Sequence, residues 1–288
     1  MNNYIIFTDS GCDLKPETLK KWGVEYINLT FRFDDDEREF SNEDMGIDEF
    51  YNRMREGASA KTSAVNPESF ASAFEGALKE GKDILYLGFS SGLSTTFNSS
   101  RIAAEELMEA YPERKIITVD TLCASAGQGM AVYLAVQKKN SGATIEEVAE
   151  YIEGKKAQIC HWVTVDDLEY LKRGGRISPT VAFAGKALGI KPVIHANNEG
   201  KLDSVSKARG RKAAITTLVD KYGELAVEAK GGMVFISHAD TADDVDALIE
   251  ILRSKYSVSV ELITDIGPVI GAHSGPGTLA LFFIGKER

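Results

Sequence analysis

The sequence lacks the residue patterns on which most metal- and nucleotide-dependent enzymes rely. Its three cysteines, Cys12, Cys123 and Cys160, are odd in number, dispersed and without metal-like spacing. The four histidines, His161, His195, His238 and His273, include no H-x-x-x-H pair, so no metal site is expected. Neither G-x-x-x-x-G-K-[ST] nor a helix-opening G-x-G-x-x-G occurs, which argues against nucleotide binding by this chain alone. Basic residues are outnumbered, 33 against 43 acidic, and a formal charge of −10 disfavours a nucleic-acid partner. No apolar run approaches a membrane span. The opening MNNYIIFTDS has neither the basic nor the apolar region of a signal peptide, and a cytoplasmic location is expected. There is no internal repeat and no low-complexity segment.

What remains is a globular composition, 43% hydrophobic and 26% charged, that argues against disorder. At 288 residues two domains or one large α/β unit are expected, and the order of elements along the chain puts a first domain at 1–157 and a second at 158–288. The stretch Ile84–Ser100, ILYLGFSSGLSTTFNSS, organises the first of them. Ile84–Leu87 is a short apolar run fit for a strand buried on both faces. From Phe97 onward, apolar side chains recur at helical spacing: Phe97, Ala104, Leu107, Met108 and Tyr111. Seven of the eleven positions from 90 to 100 carry a hydroxyl. One hydroxyl suffices to cap a helix. Seven point instead to an anion or polar-headgroup site at a helix start.

Along the rest of the chain, Tyr4–Thr8 reads as a first strand and Val24–Phe33 as one alternating strand. The acidic run 34–37 reads as a solvated loop, and Ile47–Arg55 as a short amphipathic helix. Asn66-Pro67 opens a helix that runs to Gly81, and Thr62 and Ser63 precede it. Ile116–Val119 is a further strand. In open parallel sheets, ligands lie outside the strands' carboxyl ends. The turns Thr8-Asp9-Ser10, Ser90-Ser91 and Asp120-Thr121 are therefore expected to converge on one crevice. Thr144-x-x-Glu147 is a capping box.

The second half opens with a strand at Cys160–Val165, after which Asp166 is expected to cap the short helix LEYLKRGGRIS. Ser178-Pro179 starts another helix, ended by Gly189. Its face of Val181, Ala182, Phe183, Ala184, Ala187 and Leu188 is buried or lines an apolar cavity. A hairpin is expected over 191–205, then a helix near 211–227, a strand at Met233–Ser237, a helix at 241–255 and a strand over 258–264. A glycine-proline loop over 267–277 carries His273 and Ser274, and a strand closes the chain. His273 in such a loop reads as positioned for function, whereas His161 beside Trp162 in a strand reads as structural. Lys201, Lys207, Arg209, Arg211 and Lys212 form a basic cluster. It serves either as a docking patch or as an ordinary solvated helix start.

Two chemistries compete for these residues. Gly88-Phe89-Ser90-Ser91-Gly92 fits G-x-S-x-G between a strand and a helix, and Asp265 and His273 follow in hydrolase order, so a serine esterase with Ser90 as nucleophile is one reading. No HGGG-like oxyanion segment accompanies it, and the neighbouring hydroxyls give no reason to single out Ser90. The other reading is a ligand-binding site for an anion.

The segments TDSGCDL (8–14), KTS (61–63), GFSSGLSTTFNSS (88–100), VDT (119–121), LEYLKRGGRIS (168–178), KP (191–192) and GPVIGAHSGPGTLALFF (267–283) occur in this order across nearly the whole chain. Together they resemble the DegV family. That resemblance implies an N-terminal parallel-sheet α/β domain and a C-terminal α/β (α+β) domain, with one long-chain fatty acid held between them and no cofactor. It further implies a non-catalytic subunit that presents the acid to a separate ATP-binding kinase subunit for acyl-phosphate formation. By position, the carboxylate-binding hydroxyls fall on Thr62 and Ser94, with Ser63, Gly92 and Ser274 in the same segments. The headgroup histidine falls on His273, and Arg173 belongs to its neighbourhood; His273 and Arg173 would assist phosphoryl transfer in the complex. If the basic cluster is a docking patch, Arg209 and Arg211 would face the partner. Where the family commonly reads T-S-Q-P-S, this chain has Thr62-Ser63-Ala64-Val65-Asn66, and the glycine usual after GLS is Thr95.

Overall fold

The computed structural model describes residues 3–177 and 189–288. Among the described residues the strands are β1 (Tyr4–Asp9), β2 (Val24–Ile27), β3 (Thr30–Phe33), β4 (Ala60–Ser63), β5 (Asp83–Gly88), β6 (Ile116–Asp120), β7 (Ile159–Thr164), β8 (Ile190–Ala196), β9 (Leu202–Arg209), β10 (Met233–His238), β11 (Ser259–Asp265) and β12 (Leu279–Ile284). Four of them form a parallel sheet in the order β2-β1-β5-β6. Six form a mixed sheet, β11-β10-β12-β7-β8-β9, in which only β10 and β11 run parallel. β3 and β4 make a separate antiparallel ribbon. This is the two-sheet, two-domain α/β architecture expected.

Several elements follow from local chemistry. Asn66 accepts the Ser69 N–H at 2.8 Å, and Pro67 begins the helix Pro67–Lys79, where a missing N–H costs nothing. Thr144 and Glu147 make the reciprocal capping box of Ile145–Lys155. The helix Ile47–Arg55 buries Phe50, Tyr51 and Met54 on one face.

Tertiary structure overrides the local pattern elsewhere. Val24–Phe33 is not one strand, because the chain leaves the parallel sheet after Ile27 and β3 joins β4. Leu29 N–H donates to Ser10 Oγ at 3.0 Å within that break. Asp166 does not cap the helix Glu169–Arg173: Asp167 accepts the Glu169 N–H, and Asp166 instead pairs with Lys191 at 2.6 Å. Residues 268–274, expected in a loop, form the short helix Pro268–Ser274 with proline at its start. The helix expected from Ser178-Pro179, with its apolar face Val181–Leu188, lies outside the described residues.

The helix Ala126–Asn140 was not anticipated. It is buried almost all round, and its core joins Leu85 and Leu87 of the parallel sheet to Phe235, Ala280 and Phe282 of the mixed sheet. A helix apolar on every side must be enclosed by protein, and this one is the packing layer between the two sheets. Gly127 lets it approach the mixed sheet, since a Cβ there would overlap His161. Among the described residues no helix is long and apolar enough to cross a membrane.

Candidate functional site

Between the carboxyl end of the parallel sheet and one face of the mixed sheet lies a cavity of about 480 Å³. That volume falls within the range of roughly 300–1,000 Å³ typical of small-molecule sites. Its walls are mainly apolar: Leu29, Phe89, Leu93, Val163, Val165, Leu171, Ile194, Leu202, Ile266, Val269, Ile270, Ala280 and Phe282. Most of the polar groups in the lining fall into two sets. Thr62, Ser94, Thr95, Arg176, His273 and Ser274 belong to the first, and Ser125 and His161 to the second.

The first set is assembled from three distant segments. Thr62 is the penultimate residue of β4, Ser94 precedes the helix Thr96–Ala110, and His273 is in the last turn of Pro268–Ser274. Thr62 Oγ1 lies 2.8 Å from His273 Nε2. Ser94 Oγ accepts the Thr96 N–H at 3.2 Å and lies 2.9 Å from Thr96 Oγ1. Burial, reinforced by the charges of Arg176 and Arg173, pulls the His273 imidazole down to about 4, so at neutral pH it is uncharged. Ser274 is buried and its Oγ has no hydrogen-bond partner among the described residues.

Arg176, not Arg173, supplies the cation of the lining. The helix Glu169–Arg173 ends at Gly174, and Gly175 takes a φ of 71°, a turn that brings Arg176 round to the cavity. Arg176 Nε donates to the Leu93 carbonyl at 3.0 Å, next to Ser94, and its guanidinium also donates to the Gly174 carbonyl. Arg173 is exposed and stacks over the Tyr170 ring at 5.2 Å. Ser63 is exposed at the end of β4. Gly92 abuts the hairpin turn, where a Cβ would collide with the Glu199 carbonyl oxygen. Neither Ser63 nor Gly92 lines the cavity.

The second set is internally satisfied. His161 Nε2 accepts the Ala124 N–H at 3.3 Å, so its Nδ1–H donates to Ile159 O at 3.0 Å, and burial holds the ring neutral. Ser125 Oγ donates to Asp13 Oδ2 at 2.5 Å and lies 2.9 Å from Ser237 Oγ.

Of the three turns expected to converge, Ser91 lines the cavity directly. Asp9 is fully buried and accepts from Tyr86 Oη and the N–H groups of Phe89 and Gly11. Asp120 accepts the Ser91 and Leu122 N–H groups. The two carboxylates shape the crevice without facing it.

The esterase arrangement is absent. Ser90 is fully buried and donates to the Gly200 carbonyl at 2.8 Å. Asp265 faces Lys15 at 3.3 Å and His238 at 3.6 Å, while His273 faces Thr62. The supposed nucleophile is a hydrogen-bonded staple between the 88–95 turn and the β8–β9 hairpin. In the basic cluster, Arg209 is exposed, but Arg211 is held by Asp244 at 2.9 Å and Asp166 at 3.6 Å, and Lys201 by Glu199 at 2.8 Å. Among the described residues no cluster of His, Cys, Asp or Glu could hold a metal ion.

Two sheets, one parallel and one mixed, with an apolar cavity between them and hydroxyls at its polar end, define a class of two-domain ligand-binding α/β proteins. The chain belongs to the DegV family, whose model matches residues 3–286. A DegV domain-containing protein of Clostridium perfringens is 44% identical over all of this chain and 99% of its own length. A DegV family protein of Thermus thermophilus, solved as a fatty-acid-binding protein, is 32% identical with a TM-score of 0.87, covering 98% of this chain and 99% of its own. A DegV lipid-binding protein of Thermotoga maritima has the same identity and TM-score and covers 99% of both chains.

Proposed function

We propose that this chain binds one long-chain fatty acid in the cavity, with the carboxylate held by the hydroxyls of Thr62 and Ser94 beside His273, Ser274 and Arg176. The observation that carries this reading is the contrast within the lining: extended apolar walls and, at one end, hydroxyls and a guanidinium drawn from separate segments. Burying a sixteen-carbon tail at about 0.8 kcal/mol per CH₂ offers roughly 11 kcal/mol. Association and ordering offset roughly 4–15 kcal/mol of such a gain. The tail thus sets affinity, and hydrogen bonds to the charged headgroup, roughly 1.5–3 kcal/mol each, set orientation. The fatty-acid- and lipid-binding relatives above support the same assignment.

The departures from the family pattern fall at this end, since Ala64 and Thr95 both line the cavity. They bear on which acyl chains fit. Denaturing extraction of the purified protein followed by mass spectrometry tests the reading: about one long-chain acid per chain is expected. A protein that carries none and fails to bind added palmitate would refute it.

The chain is further inferred to act without catalysis of its own, presenting the carboxylate to a separate ATP-binding kinase subunit. Hydroxyl donors suit that task, because they hold a carboxylate without burying it in a tight ion pair. His273, being neutral, contributes a hydrogen bond rather than a charge to the transfer. With such a subunit and ATP, His273→Ala should lower acyl-phosphate formation more than acid binding; full phosphorylation by the variant would remove His273 from the transfer. Arg209→Glu should weaken kinase coupling and leave lipid binding intact, and an equal loss of both would count against docking there.

A further inference from the structure

His273 touches its surroundings through both ring nitrogens, and the two contacts differ in kind. Nε2 meets the Thr62 hydroxyl at 2.8 Å. Nδ1 meets Gly174: a Cβ built on that glycine would overlap Nδ1, so the Gly174 hydrogen that a side chain would replace points at this nitrogen. Nδ1 has no hydrogen-bond partner among the described residues. A neutral imidazole carries one proton, on one nitrogen or the other. A proton on Nδ1 would be driven against the glycine Cα–H, buried and without an acceptor. A bare Nδ1 instead receives that Cα–H as a weak hydrogen bond.

We propose that Gly174 fixes His273 as the Nε2–H tautomer, which makes Thr62 an obligate donor toward the cavity. The chain of donors then has one direction. Nε2–H donates to Thr62 Oγ1, whose lone pair is occupied, and the Thr62 O–H is left to turn toward an acceptor. In the opposite tautomer Thr62 would spend its proton on Nε2 and could offer a ligand only lone pairs, which repel a carboxylate. Gly174 and His273 are thus positioning residues that set the polarity of Thr62. The consequence for the ligand rests on the fatty-acid reading, while the tautomer itself does not. It also explains a glycine with an ordinary backbone angle: the φ of Gly174 is −73°, so space rather than conformation requires it.

The tautomer can be read directly. In a long-range ¹⁵N–¹H correlation spectrum of the full chain labelled with ¹⁵N-histidine, His273 is assigned by its loss in His273→Gln. Nδ1 is expected at the position of an unprotonated imidazole nitrogen and Nε2 at that of a protonated one. The reverse assignment, or a rapid average of the two, overturns the proposal. In a second arm, Gly174→Ala should weaken palmitate binding roughly tenfold to a hundredfold, the worth of one hydrogen bond to a charged group, and leave hexadecanol binding within about twofold. Equal losses for both probes, or unchanged palmitate binding, would overturn the role of Gly174. If the wild-type chain binds no palmitate, the fatty-acid reading fails, and the spectrum still decides the tautomer.

Discussion

The molecule contains two polar regions built from the same residue types, and they differ in how completely the protein uses them. One is the seam between the two sheets. There Asp13 accepts from Ser125 Oγ at 2.5 Å and Gly267 N–H at 2.9 Å, and Thr264 Oγ1 donates to the Asp13 carbonyl at 2.7 Å. The other is the polar end of the cavity, where Ser274 Oγ has no hydrogen-bond partner among the described residues. Buried polar groups are normally paired, and an unpaired one costs roughly 1–3 kcal/mol. A seam that spends every donor stabilises the fold. A cluster that holds a donor back is, on the fatty-acid reading, matched to a ligand. Residue type does not separate the two; satisfaction does.

Substitution should therefore cost stability at the seam and affinity at the cavity. The largest effect is expected from Asp13→Ala, which orphans the Gly267 N–H and leaves the Ser125 hydroxyl with Ser237 Oγ alone. Urea unfolding should show a loss of about 2–5 kcal/mol; a loss below about 1 kcal/mol would mean the seam does not join the sheets. Next comes Thr62→Val, which keeps the shape and removes the hydroxyl. Palmitate affinity should fall by roughly 1.5–3 kcal/mol in a calorimetric titration, while the unfolding free energy of ligand-free protein falls by no more than about 1–3 kcal/mol, because His273 Nε2 loses its partner. A smaller effect is expected at Arg288, whose guanidinium donates to the carbonyls of Leu122, Lys156, Ile159 and Asn197. It behaves as a seam residue, so Arg288→Ala should cost about 1–2 kcal/mol of stability and leave the orientation of the carboxylate unchanged.

The same distinction marks what could be read from the sequence. Elements with a strong local signal were legible: the Asn66-Pro67 start, the Thr144–Glu147 box, and Ile47–Arg55 to the residue. The helix Ala126–Asn140 was not, because burial between two sheets removes the polar face that produces a helical period. β2 and β3 merged in the sequence because both alternate, and only the distant partner β4 separates them. At the site, the family resemblance implies Thr62 and Ser94, the glycine-proline setting marks His273, and all three line the cavity. The resemblance implies Arg173, whereas Arg176 lines the cavity. The two lie three residues apart on either side of Gly174-Gly175, and only the backbone turn at Gly175 decides which one faces inward. Ser90 drew attention through its motif, whose strand-to-helix context also suits a staple to Gly200.

The smallest effect concerns pH, and it sets the two regions against each other once more. Burial pushes the Asp13 carboxyl up to about 8, whereas burial and the nearby arginines pull His273 down to about 4. Both are neutral at pH 7 for the same reason, since burial disfavours the charged form of each; only the directions of the shifts are opposite. A carboxyl raised on folding binds its proton more tightly in the native state, so its stabilisation is complete below the ordinary aspartate value and is lost as pH rises through about 8. An imidazole lowered on folding acts the other way: its contribution is complete above 6.5 and is lost as pH falls towards 4. Between 6.5 and 8, then, His273 does not change state and Asp13 begins to ionise. Thermal unfolding should show stability falling across that window, and Asp13→Asn, which cannot ionise, should flatten the slope. Palmitate affinity should stay constant over the same range, because hydroxyls do not titrate there, the arginines remain charged and the ligand carboxylate is already ionised. An affinity that followed the stability curve would mean that seam and cavity are one coupled unit, and that the division between structural and ligand-facing polar groups fails.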